Sequence, residues 1–169
     1  MSDFVHLHCH TEFSLLDGLA KIPDLLSRAK ELGMDSLAIT DHGSMYGAIK
    51  FFLKAREYGI KPIIGIEAYQ AKRSRFDKQQ GIDSDSYHLV LLAENNTGYQ
   101  NLMKLTTLAN LEGFYYKPRI DISVLKEYSE GLICLSGCLN GEISQLLLNH
   151  QEIQAETRAR EFLEIFGEE

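Results

Sequence analysis

The chain has 169 residues, 44% of them hydrophobic and 24% charged, and carries a net charge of −7. That length suits one globular domain, and the composition excludes a disordered chain. The acidic balance excludes a protein that holds a nucleic-acid backbone by a basic surface alone, and no apolar run approaches the about 20 residues of a membrane span.

In chain order, "DFVHLH" (3–8) alternates and predicts a strand. "KIPDLLSRAKELG" (21–33) predicts a helix with Pro23 near its start, an apolar stripe of Leu25, Leu26, Ala29 and Leu32, and Gly33 at its end. "DSLAIT" (35–40) is a short apolar strand. "SMYGAIKFFLKAREYG" (44–59) reads as a helix capped by Ser44 and Gly59, with Met45, Ala48, Ile49, Phe52 and Ala55 inward. "KPIIGIEAYQA" (61–71) is a strand, and residues 72–86 form a polar loop whose basic cluster "KRSRFDK" reads as solvated. "YHLVLLA" is a strand, "NTGYQNLMKLTTLANLEG" a helix and "FYYKPRI" irregular. "DISVLKEYS" is a short helix, "GLICLSG" a strand, and "GEISQLLLNH" and "QEIQAETRAREFLEIFG" are two more helices. Strands alternating with helices predict parallel βαβ units and an α/β fold. Roughly five strands fall short of an eight-stranded barrel, which takes about 250 residues. The expectation is a smaller open sheet or the front part of a longer domain.

Three cysteines, Cys9, Cys134 and Cys138, are an odd number, and "MSDFVHLHCH" has no leader-like apolar core. A cytoplasmic, reducing setting follows, with thiols that are free or bind metal. Cys134, inside an apolar strand, reads as a core thiol.

Metal-compatible side chains gather near the ends of these strands. His8 and His10 close the first, Asp17 lies in the loop beyond it, and Asp41 and His42 follow the second. Glu67 lies in the third, Cys138 follows the last, and His88 stands at the start of its strand, the end opposite to the one expected. Alternate residues of a strand share a side, so His8 and His10 can grip one ion, while His6 would support them from deeper in the chain. Imidazole, carboxylate and thiolate suit zinc and its neighbours. Glu67 can bridge two ions that act on water and a leaving oxygen, and Asp41 can orient a ligand. Each residue alone has a plainer reading: "DHG" is commonly a turn, and two histidines at a strand end are a weak signal. A run of such residues at successive loops points to a metal-dependent hydrolase.

"HLHCHTEFSLLDG", "AITDHGSMYGAIKF", "KPIIGIEAY", "LLAENNTGYQNLMKL", "EGFYYKPRID" and "LICLSGCLNGEI" together resemble the PHP (polymerase and histidinol phosphatase) domains at the N-terminus of bacterial polymerase III alpha subunits. The first two segments are shared across PHP proteins, whereas "NNTGYQNLMKL" and "GFYYKPRID" resemble the polymerase branch. The resemblance implies a distorted seven-stranded β/α barrel, incomplete in this chain, with residues 1–169 as the N-terminal part of the PHP domain and the polymerase domains absent. It implies up to three divalent ions, zinc or manganese with magnesium as a further option, on His8, His10, Asp17, His42, Glu67, His88 and Cys138. It also implies 3′-to-5′ exonuclease activity, DNA and other replisome subunits as partners, and a later Asp-x-His pair that this chain lacks, which marks it as a fragment. Two other readings stand beside it: a catalytically silent PHP domain that braces the polymerase or docks a proofreading subunit, and a stand-alone small-molecule phosphatase.

Overall fold

The computed structural model describes residues 4–15 and 17–168. Its elements are α1 (Ile22–Glu31), β1 (Ser36–Ile39), α2 (Ala48–Tyr58), β2 (Lys61–Ala71), β3 (Ser86–Ala93), α3 (Asn96–Leu111), β4 (Arg119–Ile120), α4 (Ile122–Glu127), β5 (Leu132–Leu135), α5 (Glu142–Leu148) and α6 (Glu152–Phe166).

The sheet is mixed, with strand order β1-β2-β3-β5 and β4 added to β2. β1 and β4 pair with β2 in parallel, whereas β2–β3 and β3–β5 are antiparallel. The all-parallel expectation holds for the unit β1–α2–β2 and for the short β2–β4 pair. It fails at β3 because the loop of residues 72–85 contains no helix to carry the chain back across the sheet, so β3 returns beside β2 in the opposite sense.

β2 is buried from Gly65 to Ala68, so both of its faces are covered. Ile66 and Ala68 face the largest core cluster, with Leu89 and Leu91 of β3 and Leu102 and Leu105 of α3. Leu37 and Ile39 of β1 pack with Ile22 and Leu26 of α1 and Phe51 and Ala55 of α2. Ala38, Val90 and Leu92 form a third, small cluster. Register sets Glu67 opposite Val90, which places it among the β2 residues alternate to Ile66 and Ala68.

Several sequence expectations change. The predicted strand at 3–8 is an irregular extended segment, and its Asp3 lies outside the described residues. The amides of Ala38 and Thr40 donate to the carbonyls of His6 and Cys9. The two-residue step from Ala38 to Thr40 thus answers a three-residue step in the N-terminal segment, and the extra residue breaks the ladder in the manner of a bulge. α2 begins at Ala48 behind Gly47 rather than at Ser44, whose hydroxyl is buried without a hydrogen-bond partner among the described residues. The buried stripe is therefore Ala48, Phe51 and Ala55, while Ile49 and Phe52 are 62% and 42% exposed. Within "FYYKPRI", Arg119 and Ile120 pair with Tyr69 and Gln70.

The basic cluster is a loop in which Lys72, Arg73, Phe76 and Lys78 are exposed, as expected of a solvated segment, while Arg75 is largely covered. Arg75 bonds to Asp121 and Glu112, and Arg73 to Asp83. Arg119, 1% exposed, donates to the carbonyls of Gly113, Asp83, Arg75 and Asp77. A planar guanidinium has enough fixed donors to satisfy these acceptors at once, and so it fastens the loop after β2 to β4.

Candidate metal centre

Glu67 is central because the backbone around it is held on both sides. Its amide donates to the carbonyl of Asp41 and its carbonyl accepts from Gly43, so the loop after β1 is stitched onto β2. His42 thereby lies beside Glu67 as a parallel bridge partner. On the other edge, antiparallel pairing sets His88 opposite Tyr69, two residues beyond Glu67. The start of β3 therefore lies at the same end of the sheet as the finish of β2, which removes the difficulty His88 posed. The His88 amide donates to the carbonyl of Asn140, so the Cys138–Asn140 loop closes over that end.

The Glu67 residue is 1% exposed. Its Oε2 lies 2.8 Å from His8 Nε2, 2.6 Å from His10 Nε2 and 3.4 Å from His42 Nε2, and its Oε1 lies 2.8 Å from His88 Nδ1. Cys138 Sγ is 3.6 Å from His88 Nδ1 and 3.9 Å from Glu67 Oε1. Asp17 Oδ2 lies 2.8 Å from His10 Nδ1 and 3.0 Å from His42 Nε2. All seven residues implied as ligands thus converge.

Burial alone would raise the Glu67 carboxyl, but hydrogen bonds from His10, His8 and His88 outweigh it and hold the group well below the usual carboxylate range. The bond to Glu67 raises His10, against the opposing effect of burial. Burial lowers His42. For Asp17 burial acts upward, yet the Ser14 hydroxyl and the charges of His10 and His42 pull it down.

The donor set fits divalent ions. Three overlapping groups, His8–His10–Glu67, His10–Asp17–His42 and His42–Glu67–His88, each bring their ligand atoms within 4.8 Å of one another. A neutral tautomer can donate one nitrogen to a carboxylate, but His10 faces Glu67 through Nε2 and Asp17 through Nδ1, so satisfying both without a cation requires a charged ring, which burial resists. A cation in the place of a ring proton satisfies the same atoms. Nitrogen, oxygen and sulfur donors together suit zinc and neighbouring transition metals.

His6 departs from expectation, and Asp41 acts through the backbone. His6 is exposed and packs edge-on against Phe4, because the extra residue before Cys9 takes it out of the alternation that joins His8 and His10. Asp41 is buried, but its carboxylate accepts from the amide and hydroxyl of Thr11, at 2.6 and 2.8 Å, rather than from an imidazole. These bonds hold the backbone next to His10.

Residue order alone does not single out Ser14 or Tyr69. Ser14, fully buried, donates to Asp17 Oδ1 at 2.6 Å and accepts from the His42 amide at 3.0 Å. The turn that holds it closes at Gly18, where a Cβ would stand 1.8 Å from the Thr11 carbonyl oxygen. Tyr69 stacks on His42, ring centroids 5.2 Å apart and planes 5° from parallel. The alternation of β2 was the available signal, since Tyr69 shares the parity of Glu67.

A family model described as "PHP domain" matches residues 6–169. The chain is 54% identical over 167 residues to DNA polymerase III subunit alpha of Borreliella burgdorferi, covering 98% of this chain and 15% of that protein. It is 54% identical over 169 residues to DNA polymerase III subunit alpha of Thermus aquaticus, covering 98% of this chain and 14% of that protein. The chain therefore spans about 15% of the length of these relatives. Among solved structures, a protein described as a candidate metal-dependent phosphoesterase from Bifidobacterium adolescentis is similar at 20% identity and a TM-score of 0.45, over 64% of this chain and 34% of that one.

Proposed function

The chain belongs to the PHP domain family, and on that premise we propose that its centre is a metal-dependent phosphodiesterase acting on the 3′ end of DNA, as the N-terminal part of a replicative DNA polymerase III alpha subunit. The observation that carries the reading is the buried Glu67 carboxylate with His8, His10 and His42 at one oxygen and His88 at the other. His8, His10 and Glu67 would hold one ion, His88, Cys138 and Glu67 a second, and Asp17 with His42 a third. Zinc and manganese are the ions proposed, with magnesium the weaker fit to a set that includes sulfur. When bound, such ions polarise a phosphoryl oxygen and lower the pKa of water.

This chain's own residues supply the placement. Glu67 keeps the cluster anionic and ties its two sides together. Asp17 and Glu67 fix both ring nitrogens of His10, and with them the orientation of the ring. Ser14 links Asp17 to the His42 backbone, and Asp41 anchors Thr11.

In the same reading, DNA reaches the centre through the rest of the polymerase, other replisome subunits are its partners, and the setting is the cytoplasm. Among the described residues no helix is long and apolar enough to cross a membrane. A second reading, a PHP domain that braces the polymerase or docks another subunit, draws on the exposed α2 face of Ile49, Phe52 and Leu53. One experiment separates the two: release of nucleotides from a 3′-labelled single strand in the presence of manganese or zinc, for the wild type and for Glu67→Gln. Release that Glu67→Gln abolishes supports the nuclease. A folded wild type that binds metal and releases nothing supports the brace.

A further inference from the structure

The turn "FYYKP" (114–118) takes no part in the centre described above, yet it is fastened to it. Tyr116 has φ +58, a conformation strained for a non-glycine residue that persists only where the surroundings impose it. The Tyr115 amide donates to the Lys117 carbonyl across the turn. Pro118 packs against Gly43, where a Cβ would stand 3.0 Å from the Pro118 ring and a φ of +61 also favours glycine. The turn is thus clamped onto the residue that follows His42.

The clamp sets Lys117 Nζ 4.3 Å from the centroid of the Tyr69 ring. That ring stacks on His42 and meets His88 edge-on, 5.4 Å between centroids. A cleft of about 340 Å³ opens here, with His88, Lys117, Lys72, Tyr87, Asn140 and Gln145 among its walls. Lys72 is paired with Asp85 at 3.4 Å. Lys117 has no salt-bridge carboxylate among the described residues, and an aromatic face does not neutralise it. A positively charged residue without a counter-charge, held beside a candidate ligand in an acidic chain, is placed for an anion.

We propose that Lys117 binds a non-reacting phosphate of a single-stranded polynucleotide whose terminal phosphodiester lies at the metal centre, and so selects strands over small phosphate esters. The assignment rests on the phosphodiesterase reading for what happens at the centre. A small monoester has no second phosphate to reach the cleft, whereas a strand does.

The test is salt-dependent binding of a short phosphorothioate oligothymidylate to the chain in chelator, so that no metal chemistry contributes. Lys117→Met keeps the aliphatic stem on Tyr69 and removes the charge. Loss of one phosphate contact lowers the slope of log K against log salt by about 0.7 for a single strand. We expect that fall in Lys117→Met, and the wild-type slope in Lys117→Arg. Lys117→Gln reads the same charge loss should Met disturb the fold. An unchanged slope in the charge-removing variants, or no binding by the wild type at low salt, overturns the assignment. Release of 3′ nucleotides with metal is followed in parallel. A slope that falls while the wild type releases nothing upholds the Lys117 subsite and sinks the nuclease reading; release with an unchanged slope does the reverse.

Discussion

Tyr69 and His88 are directly opposed across the antiparallel β2–β3 ladder, and their rings meet edge-on at 5.4 Å. The pairing brings the first residues of β3 to the end of β2 that carries Glu67, so a histidine at a strand's beginning joins ligands from strand ends. A parallel β3 would have carried His88 to the far side of the sheet. The centre therefore depends on the reversal of chain direction between β2 and β3.

The reversal is held by Arg119, which yields a stability prediction. Arg119→Ala leaves buried carbonyls without donors and opens a cavity, a loss of about 3–5 kcal/mol. Arg119→Lys recovers little of this, because an ammonium cannot reproduce the guanidinium fork. Urea unfolding measures the cost, and trypsin cleavage at Arg73 and Arg75 should accelerate in both variants. Wild-type stability in Arg119→Lys would contradict the role.

Asp121 supplies a pH dependence. Burial acts to raise its carboxyl, but the amide and charge of Arg75, the Ser123 hydroxyl and the Val124 amide outweigh burial and lower it. A depressed acid stabilises the fold above its unfolded value, near 3.9, and that contribution is lost as pH falls through the lower folded value. Asp121→Asn should cost about 3 kcal/mol at neutral pH and flatten the acid limb of stability against pH. An acid limb as steep as that of the wild type would assign acid unfolding to other carboxyls.

The thiols should separate by reactivity. Cys138 is exposed, whereas burial raises Cys9 and pushes Cys134 up to about 12. Timed iodoacetamide labelling read by mass spectrometry should modify Cys138 first and Cys134 last. Zinc should protect Cys138 selectively. Unchanged labelling at saturating zinc would remove the thiol from the ligand set.

Ser14→Ala should act on one side of the centre. It removes the hydroxyl shared by Asp17 and His42, and leaves His8, His88 and Cys138 with the contacts they have. Zinc titration should show one class of site weakened by about tenfold or more, the range typical of groups that orient metal ligands. Uniform weakening of all sites would make Ser14 a fold residue only.

Much of this was readable from residue order. The helices at 22–31, 96–111 and 152–166 and the strand at 61–71 follow from periodicity and end signals, and the seven candidate ligands follow from their chemistry and the family resemblance. Strand direction was not readable in the same way, because a short apolar strand such as "YHLVLLA" looks alike in both pairings. The polar, helix-free stretch before it was the usable hint. His6 was misplaced because a single extra residue, invisible to an alternation rule, shifts the phase of the N-terminal segment. The groups that the Asp41 carboxylate holds were not readable, since sequence adjacency to His42 says nothing of which way a carboxylate turns. Arg119 and Ser14 act through partners far apart in the chain, such as Asp83 and His42, and only the folded arrangement joins them.

The proposed metal cluster stands or falls with Glu67. Its most direct test is metal content per chain by elemental analysis, after exchange against zinc or manganese and gel filtration, for the wild type and for Glu67→Gln with circular dichroism as the fold control. At least one tightly held ion per wild-type chain is expected, with a fall to background in a folded Glu67→Gln. A wild type that retains no metal, or a Glu67→Gln variant that retains as much as the wild type, would contradict it.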